Sequence, residues 1–320
     1  MAWSRRWCAG VLLVGMLAFV PEPAPVSEGR PVGRKDEPAV DRPLRLLTFN
    51  LLHGGPAAGL SGNDQDLDER LAIAIAELRR LDADVIALQE AAITRWRGDV
   101  PARVASALGF HRAYVPATER VSGFRVLDWL IASALGFRAG PAIVSRFPIA
   151  EWEAYDLPRC TRGLDPRVLL RAALTTPWGT LDVYSTHTTR GDECQVRHVG
   201  EIVRARRGPH PAFVMGDFNA DESAPAITFL TGPIGLVDVF RRANPDTPGL
   251  TVWQRIDAPA PTVFRRVDYV FLLDGIAVTG RVRSSRVVLD TPQPRPSGGV
   301  LWPSDHYGVV AEVDLVPRRR

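Results

Sequence analysis

"FVMGDFNADES", residues 213–223, runs from apolar residues into two acids and an amide. Phe213, Val214 and Met215 read as the end of a buried strand. Gly216 supplies the turn, and Asp217 and Asn219 then stand two residues apart just past it. A turn alone asks only for glycine and a polar neighbour. A carboxylate and an amide at this spacing, just beyond a strand, can point together into one site. The arrangement recurs along the chain. Asn50 follows "LLTF", Glu90 follows "VIALQ" and His187 follows "DVYST"; Asp268 follows "FRRV", and Asp305 with His306 precedes "YGVVAEV". Neighbouring strand ends converge on one edge of a sheet, so groups far apart in sequence can share a site.

The intervening pattern is mostly strands with a few helices. Residues 44–52, 84–90, 142–149, 168–176 and 180–188 read as strands, and 66–83 and 194–207 carry apolar residues at helical spacing. "PAFVMGDFN" returns to strand, and "RVDYVFLL", "IAVTGRV", "SRVVLD" and "GVVAEVDL" make the last third strand-rich. An α/β fold with two sheets and helices outside them satisfies this order.

At 320 residues, 46% hydrophobic and 23% charged, the chain has the make-up of a globular protein with one sizeable core. The N-terminus differs. Arg5 and Arg6 precede "WCAGVLLVGMLAFV", and a Pro-rich stretch follows. This is the profile of a signal peptide or N-terminal anchor over 1–24, a linker over 25–42, a catalytic domain over 43–317 and a basic tail over 318–320. The expected location is secreted or periplasmic, with anchoring through the N-terminal segment as the alternative. Taking away residues 1–20 removes two arginines and no acid, leaving 37 basic against 36 acidic side chains. Such a balance weakens the case for a protein that binds nucleic acid through a broad basic face. Cys160 and Cys194 remain, and an exported protein could pair them.

The stretches "TFN", "LQE", "AIVSRFPI", "STHT", "GDFNA", "RVDYVF" and "SDHYGV", in this order between residues 44 and 315, resemble the endonuclease/exonuclease/phosphatase superfamily, which includes DNase I, abasic-site endonucleases, neutral sphingomyelinases and inositol polyphosphate 5-phosphatases. The resemblance implies a four-layered α-β-β-α sandwich of two mainly antiparallel sheets flanked by helices. It also implies a divalent-metal site at the mouth between the sheets, with Mg²⁺, or Mn²⁺ or Ca²⁺, as cofactor.

Phosphoester hydrolysis needs a positioned water, neutralised phosphoryl oxygens and a protonated leaving group. Glu90 is the expected metal ligand, since a hard cation takes carboxylate oxygen. By resemblance Asn50 orients metal or phosphate and Asp305 lies beside it. Asp217 would orient or deprotonate the water, with Asn219 holding the same centre. His306 paired with Asp268, and His187 opposite, would bind the phosphate and handle the leaving-group proton. Arg167 matches a phosphate-binding arginine, with Arg171 as a close competitor. His53 reads equally as a loop residue, and His111, His198 and His210 carry no pattern.

The expected activity is an exported, metal-dependent phosphodiesterase of endonuclease-like type. Sphingomyelinase-like or phospholipid hydrolysis, a small-molecule phosphatase and a non-catalytic binding module on the same fold are the alternatives. Substrates are phosphoesters, nucleic acid or phospholipid among them, and no protein partner is expected. Residues 121–140, "VSGFRVLDWLIASALGFRAG", are unusually apolar and read as a helix. It either packs down as a lid or satellite core, or leaves 124–137 as a patch for a membrane surface.

Overall fold

Two parallel strand pairs set the frame of the molecule, and each needs a crossover that a helix supplies. The computed structural model describes residues 42–53, 66–120, 122, 124–160 and 166–318; the expected leader at 1–24, most of the linker and the last two tail residues lie outside them. In chain order the elements are β1 (Leu44–Asn50), α1 (Leu67–Leu81), β2 (Val85–Thr94), β3 (Gly98–Asp99), α2 (Val100–Leu108), β4 (His111–Tyr114), α3 (Arg125–Leu135), β5 (Phe137–Ser145), β6 (Ile149–Asp156), β7 (Val168–Thr176) and β8 (Gly179–His187). They continue as α4 (Glu193–Ala205), β9 (Ala212–Asp217), α5 (Pro225–Phe229), β10 (Val237–Asp238), α6 (Val239–Ala243), β11 (Asp268–Leu273), β12 (Val278–Val288), β13 (Gln293–Pro294), β14 (Val300–Leu301) and β15 (Gly308–Pro317).

One sheet runs β12-β15-β1-β2-β5-β4, with β3 beside β2; the other runs β10-β11-β9-β8-β7-β6. Among the described residues only β1–β2 and β8–β9 pair in parallel, and α1 and α4 are their crossovers. Because side chains alternate along a strand, each sheet offers two apolar faces. Leu46, Ala87 and Ile143 of the first sheet meet Leu170, Val183 and Met215 of the second in the central core. On the outer faces, Phe49 and Leu88 pack against Leu71, Ala74 and Leu78 of α1, while Val214 and Phe271 pack against Val196, Val199 and Val203 of α4. The result is the expected four-layered sandwich of two mainly antiparallel sheets.

Two expectations change. "IAVTGRV" and "SRVVLD" form the single strand β12, whose register against β15 shifts between Val282 and Ser284. A bulge absorbs the irregularity that reads as a break in the sequence. Arg266 and Val267 precede β11 rather than opening it. Gly216 is fixed by close approach: a Cβ there would lie 2.1 Å from the carbonyl oxygen of Thr186, its partner in β8.

Cys160 and Cys194 do pair, with Cα atoms 6.3 Å apart. The bridge ties the segment after β6 to the first turn of α4, whose N-cap Asp192 accepts from the Gln195 amide. It closes a separation of 34 residues, so Cys160→Ser with Cys194→Ser should lower unfolding stability by roughly 3–4 kcal/mol. Urea unfolding of the double variant beside oxidised and reduced wild type checks this; equal midpoints for variant and oxidised wild type would refute it.

Candidate active site

The strand ends meet as their chemistry requires. β1 finishes on one sheet at Asn50, beside Glu90 at an interruption within β2, and β8 and β9 finish on the other at His187 and Asp217, which face each other in register. β11 runs antiparallel to β9, which sets Asp268 opposite Asp217. Asp305 and His306 stand just ahead of β15, the neighbour of β1.

Local backbone aims the groups. Glu90 has φ 51°, and the pairing of β2 with β5 skips from Leu88 to Ala91 around it. This left-handed bulge breaks the strand's alternation and turns the carboxylate inward. Leu52 and Asn219 are also left-handed, at φ 51° and 49°. The Asn50 side-chain oxygen accepts from the Leu52 amide at 3.1 Å and holds the first of these turns. At the second, the Asn219 amide donates to Asp217 Oδ1 at 2.8 Å.

Asn50 Nδ2 donates both to Glu90 Oε1 and to Asp217 Oδ2, each at 3.2 Å, so one amide spans the two sheets. His306 sits between two carboxylates: Nδ1 is 2.9 Å from Asp268 Oδ2 and Nε2 is 3.7 Å from Asp217 Oδ2. His187 Nε2 lies 3.4 Å from Asp217 Oδ2 and 3.0 Å from Asn219 Nδ2. Asn219 Nδ2 is a donor, so that nitrogen carries a lone pair and the proton of the neutral ring is on Nδ1, on the Glu90 side.

The same environment pulls the two central acids apart. Burial pushes the Glu90 carboxyl up, but His53, His187 and the Asn50 amide prevail and bring it down to about 2. Burial takes Asp217 up to about 7, with Asp268 adding to it and His306 opposing. For His306, burial disfavours the cation, yet Asp268 and Asp217 outweigh it and raise the imidazole to about 10. Burial and Arg167 hold His187 well below its ordinary value, in keeping with the neutral ring. Asp305 is raised, first by burial and then by the Glu90 charge, with His306 opposing.

Arg167 lines a cavity of about 180 Å³ with His53, Glu90, Phe137 and His187, and its Nε donates to Thr189 Oγ1 at 3.3 Å. Arg171 is committed elsewhere, to Glu151 at 2.8 Å and Asp182 at 2.7 Å. Arg167 is therefore the arginine at the site. The expected polar residues thus share one mouth, but Asn50 enters as a donor to two carboxylates rather than as an oxygen turned to a cation.

Three contributors are invisible to a reading by strand ends. His53 Nε2 is 3.2 Å from Glu90 Oε2, and its amide donates to the same oxygen at 3.3 Å. Arg70, buried on α1, donates to the carbonyls of Leu51, Leu52 and Pro303 at 2.8, 2.6 and 3.2 Å. Ser304 Oγ donates to the Asn50 carbonyl at 2.7 Å and accepts from the His306 amide at 3.2 Å. The one available signal was Arg70, a cation on the apolar stripe of Leu67, Leu71, Ala74 and Leu78.

The donor set fits a hard cation. Glu90 and Asp305 are two carboxyl groups that feel each other's charge: the first raises the second, a repulsion that a divalent ion would relieve. Asp217, Asp268 and His306 also bring ligand atoms within 4.8 Å of one another. In that trio both imidazole nitrogens already face carboxylates, which suits a proton path better than a metal.

The chain matches the Endonuclease/Exonuclease/phosphatase family over residues 47–306. A search of curated proteins returns no significant match to the sequence. Among solved structures, an endonuclease/exonuclease/phosphatase family protein from Leptotrichia buccalis C-1013-b superposes with a TM-score of 0.60 at 17% identity, covering 84% of this chain and 99% of that one. A mannosyl-6-phosphatase of Bacteroides thetaiotaomicron VPI-5482 gives 0.62 at 18%, covering 85% and 99%. TDP2 from Caenorhabditis elegans gives 0.58 at 16%, covering 85% and 76%. At these identities the likeness is one of fold. The family match covers most of the chain, and the chain belongs to that family.

The Asp268–His306 contact predicts a titration. A nitrogen-15 NMR titration of the metal-free protein should find the His306 ring protonated until about pH 10. Asp268→Asn removes a raising charge, so the ring should then lose its proton at lower pH. An unmoved transition would show that Asp268 does not hold the cation.

Proposed function

We propose that this member of the endonuclease/exonuclease/phosphatase family is a phosphoester hydrolase that cleaves phosphodiesters with the help of a divalent cation. The observation that carries the reading is the row Asp268–His306–Asp217, joined through the Asn50 amide to Glu90. It sets a carboxyl poised near neutrality beside an imidazolium, with a second carboxylate left ionised across the mouth.

Each group then has a task. Glu90 and Asp305 would hold the cation, Mg²⁺ by preference, whose chemistry is to neutralise charge on the phosphoryl oxygens. Arg167 adds a guanidinium to the same oxygens from the cavity wall. Asp217 takes the proton of the attacking water, since a base works best with a pKa near the working pH. The Asn219 amide and the Asn50 side chain fix its two oxygens. His306, oriented by Asp268, supplies positive charge to the phosphoryl group and a proton to the departing oxygen. Neutral His187 donates one hydrogen bond from Nδ1.

Export is part of the proposal. The pairing of Cys160 with Cys194 supports it, because such bridges persist in oxidising compartments, and so does the leader-like N-terminus.

With an activated aryl phosphodiester and Mg²⁺, Asp217→Asn and His306→Ala should each lower kcat/KM by about 10²- to 10⁴-fold, while circular dichroism stays unchanged. The double variant should fall little further, because the groups act as one unit. Chelation should abolish turnover and added Mg²⁺ restore it. Nicking of supercoiled plasmid under the same conditions tests the endonuclease-like form of the activity. Full turnover by either single variant would overturn the assignment.

A further inference from the structure

Helix α3 is built inside out. In α1 the large apolar residues face the core and the charged ones, Arg70 apart, face solvent. In α3 the side chain of Asp128 is turned inward, 2% exposed, where its carboxylate accepts from the Ser122 amide at 2.9 and 3.0 Å. Among the described side chains of α3, Ala132 is the other buried one. Val126, Leu127, Trp129, Leu130, Ile131 and Leu135 all face outward, Leu130 at 52%, and Phe124 just before the helix is 73% exposed. The sequence expectation of a satellite core is thereby corrected: the buried slots are taken by a carboxylate and a methyl group, and the large apolar side chains are left between about a third and three fifths exposed.

The width of this face identifies what covers it. At about 100° per residue the outward apolar positions spread over about 240° of the helix. A groove on another protein covers one stripe, about 100° wide, whereas a bilayer wets all that is turned toward it. The aromatic and basic residues agree. Trp96, 60% exposed, lies beside Arg95, which donates to the Ala134 carbonyl of α3 at 3.2 Å. Arg159 donates to the Arg120 carbonyl at 2.6 Å, in the turn that α3 packs against. Both arginines are exposed, and among the described residues neither meets a carboxylate. Guanidinium groups flanking an apolar face suit anionic headgroups, and tryptophan suits the interface. With 11 residues α3 is about 16 Å long, and no helix among the described residues is long and apolar enough to cross a membrane. It can only lie in the surface.

The face also adjoins the site. Gly136 ends α3, and the next residue, Phe137, lines the cavity with its ring centroid 4.9 Å from that of His53. Ala117 and Thr118, from the turn beneath α3, line the same wall.

We propose that α3 is a bilayer-docking helix that lies in an anionic lipid surface and holds the mouth of the active site against it. On the reading of the site given above, the phosphodiester it reaches is one presented by the bilayer. Water adds its oxygen to phosphorus, one P–O bond breaks, and the released alcohol carries away the proton.

A fluorophore at Leu130→Cys, in a full-length chain with Cys8→Ser, reports α3 alone, whatever the N-terminal segment does. On phosphatidylcholine vesicles containing phosphatidylglycerol its emission should shift to the blue, and the shift should shrink on phosphatidylcholine alone. The triple variant Leu127→Gln, Leu130→Gln, Ile131→Gln should release phosphate products from vesicle lipid at least about tenfold more slowly. Its turnover of the soluble aryl phosphodiester should not change. No blue shift, or equal lipid turnover by the triple variant, overturns the docking role. If the soluble substrate is still cleaved, the catalytic assignment stands without it. A blue shift with no turnover of any phosphodiester would keep the docking helix and refute the catalytic reading. Plasmid nicking without lipid turnover would remove the bilayer as the source of substrate.

Discussion

The amide of Asn50 is the point on which the site turns. It belongs to β1 of one sheet, yet it donates to Glu90 on its own sheet and to Asp217 on the other. A hydrogen bond to a charged group is worth about 1.5–3 kcal/mol, and leaving its buried partner unmet costs as much again or more. Two acids facing each other across a sandwich would otherwise drive the layers apart or take up a proton. One layer deeper, Thr48, Gln89 and Ser185 form a second polar tie between the sheets, at 3.2 and 3.4 Å. The apolar core fixes the spacing of the sheets, and these ties fix their lateral alignment. Gly216 completes the constraint, since any side chain there would push β9 away from β8.

From that constraint follows the division of labour between two side chains of nearly equal intrinsic acidity. At Glu90 the surrounding imidazoles outweigh burial and keep it ionised, whereas at Asp217 burial, with Asp268 adding to it, outweighs the His306 charge. Neither value belongs to the residue type; each is a property of which strand end faces which. A fold that gathers strand ends from two sheets can set such contrasts within a few ångströms.

Much of this could be read along the chain, for a physical reason. A largely apolar strand that runs out into Asn, His or Asp announces a polar edge, and the order of these stretches carried the fold and named the residues that the fold brings together. What escaped depends on contacts with no local signature. His53 reaches Glu90 only because Leu52 turns left-handed. Arg70 reads as one more charge on an amphipathic helix, although its guanidinium holds three loop carbonyls. Arg167 and Arg171 are four residues apart, at positions of the same parity, so alternation cannot separate them; only the position of Arg167 just ahead of β7 does. For α3 composition predicts the helix but not its orientation, because the pattern that decides it is a carboxylate capping a neighbouring turn.

The grip of Arg70 bears on how such a protein can change over evolutionary time. One guanidinium joins the segment after β1, the segment before His306 and the body of α1, so none of these can be lengthened without disturbing the row of catalytic groups. The outer part of the excursion between Tyr114 and Ala142 is different: α3 is carried beyond the paired residues of β4, β5 and β2, and those strands close beneath it. Since the entropy of closing a loop grows only slowly with its length, that stretch can be exchanged at little thermodynamic cost. On the proposed reading, catalysis and docking are thus carried on separable pieces of the chain, and the second can change without the first.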